Sequence, residues 1–124
     1  MMNEIDTVRR MYDAYNARQM DDALAGLHVD VEWDGGSEGM LHGKQAVERH
    51  WRSQWQDVDA KVYIRSRAWK NSSLVLQVGL EVATSRGVSE QRIQNVITFR
   101  DGLVASLRIE QPHPSGERPA TEKS

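Results

Sequence analysis

Residues 74–82 carry the sequence Leu-Val-Leu-Gln-Val-Gly-Leu-Glu-Val, in which every second side chain is apolar. Successive side chains of a β-strand point to opposite faces of a sheet, so this alternation predicts a strand with one buried face. A second alternating run, residues 103–110, follows Asp101-Gly102, a pair typical of tight hairpin turns. We also expect strands at residues 62–69 and 88–100, so this part of the chain predicts long antiparallel strands.

The residues before these strands follow a helical repeat. Residues 3–18 place apolar side chains three and four positions apart, and so do residues 21–28 and 44–56. A short strand at residues 29–33 and a glycine-rich loop at residues 35–39 separate the second and third helices. Helices ahead of a run of strands predict an α+β fold: three N-terminal helices packed on a strongly curved antiparallel sheet that forms a cone with an internal pocket.

Length and composition exclude several classes of function. The chain has 124 residues, which fits one domain; we assign residues 1–111 to it and expect a disordered tail at residues 112–124. A net charge of -2 gives no electrostatic footprint for nucleic acid. The chain lacks cysteine, a membrane-length apolar run and histidines at metal-ligand spacing. We therefore expect a cytoplasmic protein with no metal, no cofactor, no nucleic-acid partner and no membrane partner.

Three stretches resemble the nuclear transport factor 2-like superfamily, particularly its SnoaL-like and ketosteroid-isomerase-like branches. They are residues 11–18 leading into 21–24, residues 31–34 followed by 41–47, and residues 96–104. The resemblance implies a cone of curved strands closed on one side by helices, a small apolar molecule inside the cone and a homodimer formed through the sheet. It does not imply one reaction, since this fold hosts isomerases, cyclases, dehydratases, epoxide hydrolases and binding proteins.

The likeness to ketosteroid isomerases implies a set of catalytic residues. The carboxylate base after the first strand falls on Asp34, the hydrogen-bonding tyrosine of the first helix on Tyr12, and the late-strand acid on Asn95. Asparagine replaces the acid there, but an amide also donates a hydrogen bond to a developing oxyanion. An aromatic residue that supports the tyrosine falls on Trp51.

The face on which Asp34 lies stays open. Strand alternation groups Asp34 with Asp30 and Glu32 on one face and Trp33 with Val31 and Val29 on the other. Only one face lines a cone unless a bulge or turn re-aims a side chain, so the alternatives are Trp33 and Asp34. The remaining side chains expected to bind a substrate lie on the apolar stripes of the helices or on the strands at residues 29–33 and 88–100: Tyr15, Trp33, His50, Trp51, Trp55 and Ile93.

Two kinds of function fit these residues. The first is a cofactor-independent acid–base enzyme, isomerase-like or cyclase-like, that moves a proton next to the carbonyl group of a small apolar molecule. The alternative is a non-catalytic module that binds a small molecule or dimerises. The sequence does not decide whether the protein is an enzyme.

Overall fold

Three α-helices and six β-strands make up residues 3–110, the part of the chain described by the computed structural model. In chain order they are α1 (Glu4–Asn16), α2 (Met20–Leu24), β1 (Leu27–Asp34), β2 (Met40–His42), α3 (Lys44–Asp57), β3 (Asp59–Lys70), β4 (Ser73–Thr84), β5 (Gly87–Arg100) and β6 (Leu103–Glu110). The tail predicted at residues 112–124 lies outside the described residues.

The strands form one open sheet with the order β2-β1-β6-β5-β4-β3. Neighbours are antiparallel except β1 and β6, which are parallel. The prediction of a wholly antiparallel sheet was therefore wrong at this pair. Parallel neighbours need a long connection, and the elements from β2 to β5 provide it. The α+β class itself is confirmed.

The region around β1 differs most from the prediction. The second helix ends at Leu24 rather than at residue 28, and the chain enters β1 at Leu27. The register with β6 shifts between Leu27 and Glu32, so β1 bulges outward there. Val29 lies on this bulge and is 67% exposed, whereas the alternation had grouped it with buried Val31.

The alternation at residues 74–82 is observed in the sheet. Leu74, Leu76 and Val78 are buried, and their partners on β5 are Ile97, Asn95 and Ile93. Asn95 therefore lies on the face that packs against the helices. Asn3 caps the N-terminus of helix α1: its side chain accepts a hydrogen bond from the Asp6 backbone N–H at 2.8 Å.

The core lies between this face of the sheet and helices α1 and α3. It is built around Val8 and Met11 on α1, Val47 and Trp51 on α3 and the inward residues of the strands. No helix within residues 3–110 is long and apolar enough to cross a membrane.

Candidate functional site

A pocket of about 90 Å³ opens between the two long helices and the inner face of the sheet. Its wall is mainly apolar and comes from α1, α3 and five of the strands. The lining residues are Met11, Tyr12, Tyr15, Trp33, Asp34, His50, Trp51, Gln54, Val62, Leu80, Ile93, Asn95, Leu107 and Ile109. An apolar cavity of roughly 150 Å³ holds benzene. The pocket is smaller than that cavity, so a one-ring molecule bound in it would extend into the opening.

Tyr12 and Asn95 form a buried polar pair in this wall. The Asn95 side-chain Nδ2 donates to the Tyr12 hydroxyl oxygen at 2.6 Å. Burial raises the pKa of Tyr12 far above its ordinary value, and the hydrogen bond from Asn95 offsets only part of that rise. Tyr12 is thus a neutral phenol near pH 7, and its own proton is available for donation.

Asn95 carries an unsatisfied acceptor. Its residue exposure is 4%, and its Oδ1 has no hydrogen-bond partner within residues 3–110. Native proteins rarely leave such an atom unpaired unless a ligand or a water completes it. With the amide oriented as in the structure, the pair offers a ligand one donor, the Tyr12 O–H, and one acceptor, Asn95 Oδ1.

Asp34 lines the same pocket but is also bound to the backbone. Its Oδ1 accepts a hydrogen bond from the Gly36 N–H at 2.9 Å, and its Oδ2 accepts one from the Ile109 N–H at 3.0 Å. The first bond closes the turn after β1 and the second ties β1 to β6. Trp33 lines the pocket too, so the two residues offered as alternatives by the sequence both reach it.

Aromatic side chains form one end of the pocket. Trp51 meets the ring edges of Trp33 and Tyr15 at centroid distances of 5.2 and 5.7 Å. The Tyr15 hydroxyl donates to Gln54 Oε1 at 3.1 Å. Burial raises the pKa of Tyr15, and the nearby positive charge of Arg18 lowers it in part.

Trp55 does not line this pocket, which corrects the expectation from the α3 stripe. Its ring packs 5.4 Å from that of Tyr15, and the Arg18 guanidinium lies 5.3 Å from its centroid. Trp55 is one turn farther along α3 than Trp51 and contacts Tyr15, which lines the pocket.

The sequence reasoning did not identify Glu38 as part of the site. Its Oε2 lies 3.2 Å from Nδ1 of the pocket residue His50. Glu38 lies in the loop between β1 and β2, His50 lies on α3, and β2 between them has only three residues. So short a strand leaves no alternation to detect, and no sequence signal pointed to the pair. Within residues 3–110, no group of three or more His, Asp or Glu side chains is placed to hold a metal ion.

Comparison with known proteins places this geometry in context. The chain matches the family model of the SnoaL-like domain over residues 8–107. No curated protein sequence matches it. A solved NTF2-like protein of unknown function from Burkholderia pseudomallei is 23% identical with a TM-score of 0.78, over 90% of this chain and 92% of that one.

Two enzymes have similar structures. The Δ5-3-ketosteroid isomerase from Mycobacterium sp. is 14% identical with a TM-score of 0.77, over 90% of this chain and 95% of that one. An LEH-like epoxide hydrolase from M. tuberculosis is 15% identical with a TM-score of 0.75, over 88% and 82%. At these identities the comparisons show a shared fold and confirm the resemblance seen in the sequence, but they do not show a shared reaction.

Proposed function

The chain belongs to the SnoaL-like domain family of the nuclear transport factor 2-like superfamily, and we propose that it binds a small apolar carbonyl compound and moves a proton beside the carbonyl group without a cofactor. One observation carries this proposal: the unpartnered Oδ1 of Asn95, next to Tyr12, in the wall of an apolar pocket that Asp34 also lines.

In the proposed reaction, the ligand carbonyl oxygen accepts a hydrogen bond from Tyr12. The Asp34 carboxylate takes a proton from the neighbouring carbon, so that C–H bond breaks and negative charge develops on the oxygen. Asn95 acts through Tyr12, because its donation to the phenol oxygen strengthens the phenol as a donor. A preorganised oxyanion donor of this kind contributes on the order of 3 kcal/mol. Asp34 then returns the proton to another carbon of the same ligand.

The unpaired Asn95 Oδ1 restricts the kind of ligand that suits the pocket. A ligand that offers only a carbonyl leaves Asn95 Oδ1 unpaired, whereas one that also carries a hydroxyl group satisfies it. We therefore favour a hydroxy-substituted carbonyl compound of about one ring. Phenol, a planar ring with one hydroxyl group, is a suitable non-reacting probe of the pocket.

Asp34→Asn tests the role of the base. The assay follows conversion of cyclohex-3-en-1-one to its conjugated isomer by ultraviolet absorbance, together with deuterium uptake at the α-carbon in heavy water. We expect the turnover number of D34N to fall at least about a hundredfold, because a carboxamide is not a base. D34N also loses one backbone hydrogen bond, which costs about 1 kcal/mol of stability, so the assay is run well below its melting temperature.

The matched control is Asp30→Asn, which removes an exposed carboxylate from the same strand. Its turnover should equal that of the wild type. Equal turnover in D34N and the wild type would reject Asp34 as the base.

A non-catalytic binding module is the second candidate. The two backbone hydrogen bonds of Asp34 favour it, because they explain the position of the carboxylate by structure alone, without catalysis. Under this alternative, phenol binds in the pocket but the wild type incorporates no deuterium into the ketone above the buffer rate.

A further inference from the structure

The glycine-rich loop after β1 holds Glu38 in a defined position. The loop closes through a hydrogen bond from the Gly35 N–H to the Gly39 carbonyl at 2.9 Å. Gly36 and Gly39 have φ angles of 63° and 79°, which are accessible to glycine at little cost. A Cβ on Gly35 would lie 2.8 Å from the Gly39 carbonyl oxygen. The run of glycines thus shapes a compact turn, and Glu38 lies at its end.

Glu38 contacts the one imidazole in the pocket wall. His50, in the second turn of α3, has a side chain only 11% exposed, and its Nδ1 faces Glu38 Oε2 at 3.2 Å. Across residues 3–110 no side chain or backbone group hydrogen-bonds its Nε2. The Glu38 carboxylate accepts a hydrogen bond from Nδ1–H. In the neutral ring the proton therefore stays on Nδ1, and Nε2 keeps a free lone pair.

We propose that Glu38 is a positioning residue that makes His50 a second proton carrier of this pocket, with Nε2 as the atom that exchanges a proton with the ligand. The proton exchange with the ligand rests on the proposed function, whereas the Glu38–His50 geometry does not. It gives the site two separate proton carriers, Asp34 at the end of β1 and His50 on α3.

The proposed step is a reversible proton transfer. Nε2 takes a proton from a ligand hydroxyl group: the O–H bond breaks, an Nε2–H bond forms, and the ring becomes an imidazolium. The Glu38 carboxylate balances that charge across Nδ1. Return of the proton to the ligand oxygen restores the neutral ring, and no other reactant is needed. A ligand hydroxyl has one proton to donate, so it pairs either with Asn95 Oδ1 or with His50 Nε2. In the second orientation the hydroxyl engages His50 while the carbon beside the carbonyl engages Asp34.

A similar pair on the same hairpin supplies the control. Glu32 and His42 approach each other at 3.5 Å, and Glu32 is as exposed as Glu38, at 54% against 55%. The two histidines differ: His42 is 71% exposed and away from the pocket, whereas His50 is 11% exposed and lines it. An ion pair with both partners exposed contributes little to stability or orientation. Glu32→Ala therefore removes the same chemical group from the same hairpin without touching the pocket.

The first readout is the nitrogen NMR spectrum of the His50 ring in wild type, Glu38→Ala, Glu38→Gln and Glu32→Ala, each with and without phenol. We expect wild type and E32A to carry the neutral-ring proton on Nδ1, and phenol to shift Nε2. E38A should lose that preference, while E38Q should retain it because its amide oxygen still accepts the Nδ1 proton. An unchanged proton position in E38A would overturn the proposal, as would phenol moving the Tyr12 ring signals but not Nε2.

The second readout is turnover of 4-hydroxycyclohex-2-en-1-one, a ring ketone that carries a hydroxyl group, measured as deuterium uptake in heavy water. We expect E38A to lower the turnover number about tenfold and His50→Gln about a hundredfold, with KM little changed and E38Q intermediate.

Wild-type rates in E38A and H50Q would overturn the second carrier and leave Asp34 as the base. Loss of uptake only in D34N, with a normal His50 response to phenol, would likewise contradict His50 as a carrier of the reaction. A wild type without any uptake would reject the proposed reaction, while the NMR comparison would still decide the Glu38–His50 geometry.

Discussion

Asn95 faces the core because of its register in the sheet. It pairs with Leu76 on β4 and Ile109 on β6, and both neighbours point toward the helices or the pocket. A buried polar atom without a partner costs about 1–3 kcal/mol. A ligand hydroxyl that pairs with Oδ1 removes this cost only in the complex, so the unpaired atom favours binding rather than folding.

Sequence reasoning reached some of these residues and missed others for a physical reason. Tyr12 and Asn95 were named because their positions match the catalytic positions of the ketosteroid isomerases that the sequence resembles. The role of Glu38 could not be predicted, because a loop conformation and not a periodic pattern brings it to His50. The backbone bonds of Asp34 were hidden too, since one of their partners, Ile109, lies 75 positions away.

Alkaline pH is expected to destabilise the protein through its buried tyrosines. Burial raises the pKa of Tyr12 and of Tyr15 in the folded state, whereas an unfolded tyrosine ionises near pH 10. The unfolded chain therefore loses protons first. The free energy of unfolding is unaffected by the ionisation of these tyrosines below about pH 10. Above that pH it declines, by up to about 1.4 kcal/mol per pH unit for each buried tyrosine.

Urea unfolding at several pH values from 8 to 11 measures this decline. Tyr12→Phe should make the decline shallower, although it lowers stability at every pH by removing the partner of Asn95. Tyr63→Phe, at an exposed position of β3, should keep the wild-type slope. The same slope in Y12F as in the wild type would show that Tyr12 is not the group responsible.

At the level of elements, predictability followed the length of the pattern. The strand at residues 74–82 was predicted because one-sided burial imposes a repeat over many residues, and the hairpin at Asp101-Gly102 because that pair is typical of tight turns. Strand β2 was not predicted, because three residues carry no repeat. The parallel pairing of β1 with β6 depends on how distant elements pack, and no local signal encodes it.

The side chain of Asn16 ties the end of α1 to β3. Asn16 accepts a hydrogen bond from the Val62 N–H at 2.8 Å and donates one to the Val62 carbonyl at 2.9 Å, as a neighbouring strand would. Both bonds are partly buried. We expect Asn16→Ala to lower the free energy of unfolding by about 1–3 kcal/mol, because it leaves both backbone groups without partners.

Denaturant unfolding measures this loss. The control is Gln56→Ala, which removes an exposed amide from α3 and should stay within about 0.5 kcal/mol of the wild type. If N16A were as stable as Q56A, water would replace the amide without loss, and the contact would not fix α1 to the sheet.

At the scale of the whole molecule, the sheet has one face without helices. Hydrogen-bonded side chains run across it, from Gln77 to Gln94 at 2.6 Å and from Gln94 to Glu110 at 2.9 Å. Arg65 and Glu90 form an ion pair over Gly79 on the same face, where a Cβ would lie 2.8 Å from the Arg65 Nε. This face is polar and already ordered in one copy of the chain.

We propose that two copies pair through this face to form a homodimer with a polar interface. Light scattering should give twice the chain mass of 14.1 kDa. Gln94→Lys should shift the equilibrium toward monomer, because the two-fold axis of such a dimer brings like charges from both copies into one interface. Gln56→Lys adds the same charge on α3 and should leave the dimer intact. A wild type that is monomeric at every concentration would contradict the pairing.

The pocket opens on the opposite side of the sheet, so a monomeric Q94K variant should still bind phenol. Loss of phenol binding on dissociation would mean that the second copy completes the site.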